Sequence, residues 1–164
     1  MKISNEIINI FPEIKKWRHE LHAHPELGYE EEWTSNFVAE KLESFGLEIH
    51  RGMATTGVVG VLKGANASLG GGGNKAIGLR ADMDALPMTE ENDFSYKSKF
   101  DGRMHACGHD GHTAMLLGAA KLLSSKKDFD GTVYFIFQPA EEGGGGGLAM
   151  IEDCLLYTSD AADE

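Results

Sequence analysis

Three histidines, a cysteine and an aspartate fall within nine positions, MHACGHDGH at 104–112. The whole chain of 164 residues has only two cysteines and seven histidines, so ligand-type side chains are concentrated here. Cys107 and His109 lie two apart, and in a turn or an extended backbone both side chains can face the same way. A thiolate and an imidazole suit zinc, and imidazole with carboxylate also suits manganese. On this segment alone a plainer reading stands beside it: a glycine-punctuated helix start carrying surface histidines.

A second stretch, QPAEEGGGGG, presents Glu141 and Glu142 where an apolar run ends. Consecutive strand side chains point to opposite faces, which gives the two carboxylates different jobs. One can bind metal while the other faces the substrate as a base. A solvated acidic turn before a flexible linker is the alternative. The five glycines at 143–147 fit either a linker or a close backbone approach. A third stretch, LRADMDALP, sets Asp82 and Asp84 two apart, on one face if extended. A carboxylate near a ligating imidazole fixes its tautomer and orientation, although aspartates after strands often only cap or turn the chain. His105, Asp110 and His112 read as supporting or helix-capping residues rather than ligands. His22, His24 and Glu26 in HAHPELG could line a pocket, although the segment taken in isolation reads rather as a surface turn.

These side chains need elements to position them. Residues 5–22 place Ile8, Phe11, Ile14, Trp17 and Leu21 three or four apart, which predicts a helix with one apolar face. Pro12 is expected to divide it. A second helix is predicted from about Glu31 to Ser44, stopped by Gly46. GVVGVLKG (57–64) and AIGLRADM (76–83) read as short strands joined by a loose glycine-rich loop. HTAMLLGAAKLLSSK has helical spacing at Met115, Leu116, Ala119, Leu122 and Leu123. GTVYFIFQP (131–139) reads as a strand buried on both faces. Alternating helices and buried strands predict an α/β fold, with a central, mostly parallel sheet sandwiched by helices. Ligands collect at the carboxyl ends of strands in such sheets. RADMD and QPAEEG sit at strand ends, and ACGHDGH sits just before a helix.

Composition narrows the function. The chain is 41% hydrophobic and 25% charged, as in globular proteins, and long enough for one real core. A net charge of −11 argues against nucleic acid, whose phosphates need clustered Lys and Arg. No apolar run is long enough to span a membrane. The N-terminus mixes charges into its apolar residues, unlike a secretory signal, and the chain reads as cytoplasmic. Two cysteines in that setting suggest free thiols or a metal ligand more than a disulfide.

HPELGYEE, TGVVGVLKG, GLRADMDALP, MHACGHDGHTAMLLGAA and FQPAEEGGGG occur in this order. Together they resemble the metal-dependent amidohydrolases related to aminoacylases and zinc carboxypeptidases. That branch includes hippurate hydrolases, N-acyl-diaminopimelate deacetylases and hydrolases of indoleacetyl–amino acid conjugates. The resemblance covers essentially residues 15–153. It implies a zinc-exopeptidase-like catalytic domain with two divalent metal ions, Mn²⁺ or Zn²⁺. Cys107, His109 and Glu142 would be metal ligands, and Glu141 would be the general base that activates water. Asp84 matches an aspartate that orients a ligating histidine in more distant relatives. The implied reaction is hydrolysis of the amide bond of an N-acyl amino acid. The family's lid domain, further along the chain, allows a homodimer of the full-length protein.

After AMIED the pattern departs. The tail CLLYTSDAADE has little periodicity and resembles the in-frame translation of a transposon-type sequencing-library adapter. The expected division is therefore 1–153 as the front of a catalytic domain and 154–164 as a non-native tail. The family's two remaining histidine ligands lie further along, so the 164 residues alone are expected to be inactive. Two other functions fit the same residues: a metal-binding module without catalysis, and a thiol enzyme with Cys107 as nucleophile.

Overall fold

A computed structural model describes residues 3–65 and 75–153. Residues 66–74, in the stretch expected to form a glycine-rich loop, and the tail 154–164 with Cys154 lie outside the described residues. The first helix, α1, runs Asn5–His22. It starts where the Ser4 side chain accepts a hydrogen bond from the Ile7 amide, relieving one of the unpaired N–H groups of a first turn. Contrary to expectation, the helix continues through Pro12. Its expected apolar face is divided instead. Trp17 and Leu21 are buried, while Ile8 and Phe11 are exposed.

Helix α2 (Glu32–Ser44) ends one residue before Phe45 and Gly46, the glycine having φ +78°. Strand β1 (Glu48–Met53), which the sequence reading missed, follows. Its exposed, charged positions hide the alternation that marks a strand. Strands β2 (Gly57–Lys63) and β3 (Ala76–Asp82), helix α3 (His109–Lys126), strand β4 (Thr132–Gln138) and the short helix α4 (Gly146–Glu152) complete the order.

The α/β class holds, but strand direction does not follow the mostly parallel expectation. The described sheet has the order β1-β2-β4-β3, and only β3 and β4 run parallel. The connection through α3 is the reason, because a crossover helix returns the chain to the same end of the sheet. The tight turn at Ala54, Thr55 and Thr56 makes β1 and β2 an antiparallel hairpin instead.

Alternate residues of the sheet divide its two faces. Val58, Leu62, Ala81, Val133, Phe135 and Phe137 join Trp17, Leu21, Leu42 and Leu117 in the larger core under α1, α2 and α3. Val59 and Val61 meet Met150 of α4 on the other face. Each fully buried large apolar side chain contributes roughly 1.5–3 kcal/mol. The parallel pair ends level, with Asp82 opposite Gln138, and the Met83 amide donating to the Gln138 carbonyl adds one rung. Both chains therefore leave the sheet at one rim, where α3 also begins. No helix among the described residues is long and apolar enough to cross a membrane.

Candidate metal centre

His109 is the first residue of α3 and is only 2% exposed. Gly108 before it has φ +108°, a conformation that favours glycine and lets the chain turn from Cys107 into the helix. Thr113, one turn on, donates to the Asp82 carbonyl at 2.9 Å, tying the helix start to the end of β3. His109 Nδ1 faces two acceptors, the Asp84 carbonyl at 2.9 Å and Asp84 Oδ1 at 3.1 Å. That nitrogen must carry the proton, which turns Nε2 outward into the rim.

Three carboxylates converge on Nε2. Asp82 Oδ1, Glu141 Oε2 and Glu142 Oε1 each lie 3.7 Å away, beyond a normal hydrogen bond. Positive charge at Nε2, as a proton or a metal cation, is what this arrangement favours. Burial opposes charging His109, but the Asp84 hydrogen bond and the Asp82 and Asp84 carboxylates outweigh it and push its pKa up. Burial likewise opposes ionising Asp84, yet the His109 ring and the amides of Glu142 and Glu141 hold its carboxyl below the usual range.

Among the described residues, two groups of donors could hold an ion. Cys107, His109 and Glu142 each place one ligand atom within 4.8 Å of the others, and so do Asp82, His109 and His112. Sulfur, imidazole and carboxylate are the donor types that zinc and manganese accept, so the residues present fit a divalent cation. Both groups draw on His109, whose Nε2 has one lone pair, so it can ligate in only one of them at a time. The exposed Cys107 thiol is pushed up, first by its hydrogen bond with Glu142, then by slight burial and the nearby carboxylates. That is the reverse of an activated nucleophilic thiol, and it disfavours the cysteine-nucleophile alternative.

Some sequence expectations change here. Glu141 and Glu142 do not point to opposite faces, because β4 ends at Gln138 and Ala140 has φ +50°. Strand alternation no longer applies in that turn, and both carboxylates reach the same imidazole nitrogen. One Asp84 oxygen lies 3.1 Å from His109 Nδ1, and the other accepts from the Glu142 amide at 2.8 Å. The glycines at 143–147 do not form a plain linker. Gly145 is left-handed at φ +68°, and a Cβ on Gly146 would lie 1.8 Å from the Pro139 carbonyl. Asp82 and His112, which read as supporting residues, form a direct pair, His112 Nδ1 to Asp82 Oδ1 at 2.7 Å.

The HAHPELG segment is not a surface turn. His22 is 2% exposed, and its ring nitrogens face Asp110 Oδ2 at 2.6 Å and Glu90 Oε1 at 3.0 Å. Arg18 also reaches Asp110, at 2.9 Å. Glu26 accepts from the Trp33 and Thr34 amides at the start of α2, and His24 stacks on Trp33. A lone histidine in the last turn of an amphipathic helix gives no sequence signal for such burial. His105 is also buried. Its ring nitrogens lack a hydrogen-bond partner among the described residues, and burial pushes its pKa down to about 4.

Comparison with known proteins adds an independent line. The family model "Peptidase family M20/M25/M40" matches residues 78–164. Hippurate hydrolase of Campylobacter jejuni is 51% identical over 161 residues, which cover 98% of this chain and 40% of that protein. An N-acyl-L-amino acid amidohydrolase of Geobacillus stearothermophilus is 50% identical over 143 residues, covering 84% of this chain and 37% of that protein. Among solved structures, the Bacillus subtilis YXEP protein, described as a dinuclear metal binding peptidase from the M20 family, superimposes with a TM-score of 0.84. It has 39% sequence identity over 92% of this chain and 41% of its own. The chain thus spans about two fifths of the length of these relatives.

Proposed function

This chain belongs to peptidase family M20/M25/M40, and from that premise we propose that its strand-end cluster serves a metal-dependent amidohydrolase acting on N-acyl amino acids. The observation that carries the reading is His109. Its Nδ1 is fixed by Asp84, and its Nε2 faces three carboxylates at 3.7 Å. The similar hippurate hydrolase and N-acyl-L-amino acid amidohydrolase support the substrate class.

Cys107, His109 and Glu142 would hold one divalent ion, Mn²⁺ or Zn²⁺, and a second would draw on Asp82 and His112 without His109, whose Nε2 has one lone pair to give. Such an ion, when bound, supplies a Lewis acid toward the amide carbonyl and lowers the pKa of water. Asp84 keeps the proton of His109 on Nδ1, so Nε2 presents its lone pair. Glu141 has a side chain 41% exposed, against 27% for Glu142, and so faces the open side of the rim. It takes the proton of the attacking water and passes it to the leaving amine nitrogen. The products are a carboxylic acid and a free amino acid. Cys107 gives up its proton on ligation, because the thiolate is the ligand form.

Glu141→Gln in the full-length protein separates the enzyme from a metal-binding module. Hydrolysis of an N-acyl amino acid should fall by about 10²–10⁴-fold, with Mn²⁺ affinity kept. Undiminished hydrolysis would remove Glu141 from the role of base. The 164 residues alone should bind metal without turnover, and turnover that Glu141→Gln abolishes would overturn that expectation.

A further inference from the structure

The ligands come from three separate segments: the end of β3, the start of α3 and the turn after β4. One connection touches all three. From the last residue of α1 to the start of α2, residues 22–31 pass directly behind the rim. The His22 ring meets Asp110, the neighbour of His109. The Glu26 carbonyl accepts from the Ala85 amide, beside Asp84, at 2.8 Å. A Cβ on Gly28 would sit 3.0 Å from Ala140 and 3.7 Å from Asp84 Oδ2. The Tyr29 hydroxyl donates to the Gly144 carbonyl at 2.6 Å.

The two ends of this connection carry buried ionisable side chains that the proposed chemistry does not use. Glu31 is 0% exposed. Its Oε1 accepts from the Ala140 amide at 2.9 Å, and its Oε2 accepts from the Thr56 hydroxyl at 2.6 Å. Ala140 is the left-handed residue just before Glu141, a conformation that costs an L-residue energy unless its surroundings hold it. His22 is enclosed by Asp110 and Glu90, with both ring nitrogens facing carboxylates. A buried carboxylate and a buried imidazole are costly to keep in the interior without such partners.

We propose that His22 and Glu31 are positioning residues of the metal centre: His22 fixes the first turn of α3 through Asp110, and Glu31 fixes the left-handed Ala140 that presents Glu141 and Glu142. The proposal rests on the metal-centre reading above. Neither residue touches the ion or the substrate.

Conservative variants test it by which hydrogen bond they keep. An Asn amide nitrogen falls near the histidine Nδ1 position and a Gln amide nitrogen near Nε2. His22→Asn therefore keeps the Asp110 contact, and His22→Gln keeps the Glu90 contact. Glu31→Gln keeps an acceptor for Ala140 and a partner for Thr56, and Glu31→Leu keeps neither. Each protein is titrated with Co²⁺ alone, followed by its visible absorption, and its thermal melting is recorded.

The expected result is a loss of about 10–100-fold in Co²⁺ affinity for His22→Gln and Glu31→Leu, with His22→Asn and Glu31→Gln close to wild type. A merely structural role would lower the melting of His22→Asn and His22→Gln alike and leave their Co²⁺ affinities equal. Equal affinities within the His22 pair overturn the proposal, even if Glu31→Leu fails to fold. Absence of Co²⁺ binding by the wild-type protein overturns the metal-centre reading itself, and this inference with it.

Discussion

Two clusters of charged side chains flank the first turn of α3, and they are built on opposite principles. Behind the helix, Arg18, His22, Glu90 and Asp110 pair opposite charges at 2.6–3.0 Å. In front, His109 Nε2 faces Asp82, Glu141 and Glu142 at 3.7 Å, with Cys107 and His112 close by. The rear cluster satisfies itself and costs no further partner. The front one gathers negative charge faster than its own cations neutralise it. Convergent acids with a deficit of positive charge mark a place for a cation, whereas a closed network of pairs marks a joint.

Asp84→Asn is expected to have the largest effect after Glu141→Gln. It removes the charge that fixes the His109 proton on Nδ1, and Mn²⁺ affinity measured by calorimetry should fall by about 10–100-fold. An unchanged affinity would detach Asp84 from the front cluster.

The rear cluster should answer to pH. Burial lowers the pKa of His22, but its hydrogen bonds to Asp110 and Glu90 outweigh that and raise it above the ordinary histidine value. A raised folded-state pKa contributes stability that is fully present below the unfolded value, about 6.5, and is lost as pH rises through the folded value. Melting of the metal-free protein should therefore drop on the alkaline side of about pH 6.5. That drop should shrink in His22→Asn, leaving the part that His109, also raised, contributes. A drop of undiminished size in the variant would mean that His22 has no share in the titration.

The smallest effect belongs to a pair outside both clusters. Lys16 and Glu20 lie 3.8 Å apart on the exposed side of α1. Lys16→Ala should change stability by no more than about 0.5 kcal/mol in urea unfolding. A larger change would mean that charge pairs of every kind matter equally here, and the contrast would lose its content.

How far the molecule was legible in its sequence follows from the range of each interaction. Helices α2 and α3 and strands β2, β3 and β4 are written in local spacing and terminating glycines, and their positions follow the pattern. Strand β1 escaped because charged, exposed residues such as Glu48 and Arg51 carry no alternation. Pro12 suggested a break that the packing of Trp17 and Leu21 against α3 does not require. Cys107, His109, Glu141 and Glu142 stood out by residue type. His22 and Glu31 did not, because their importance lies in partners 88 and 109 positions away.

Residue types and their spacing already marked which side chains could bind a cation and that strands would deliver them to loop ends, since donor chemistry and hydrophobic period are local properties. It took the tertiary fold to bring Glu141 and Glu142 to one imidazole nitrogen, to set Asp84 against the other, and to run residues 22–31 along all three segments that carry the candidate donors. Those outcomes depend on how the sheet, the crossover helix and a left-handed backbone turn meet in space, which no spacing along the chain encodes.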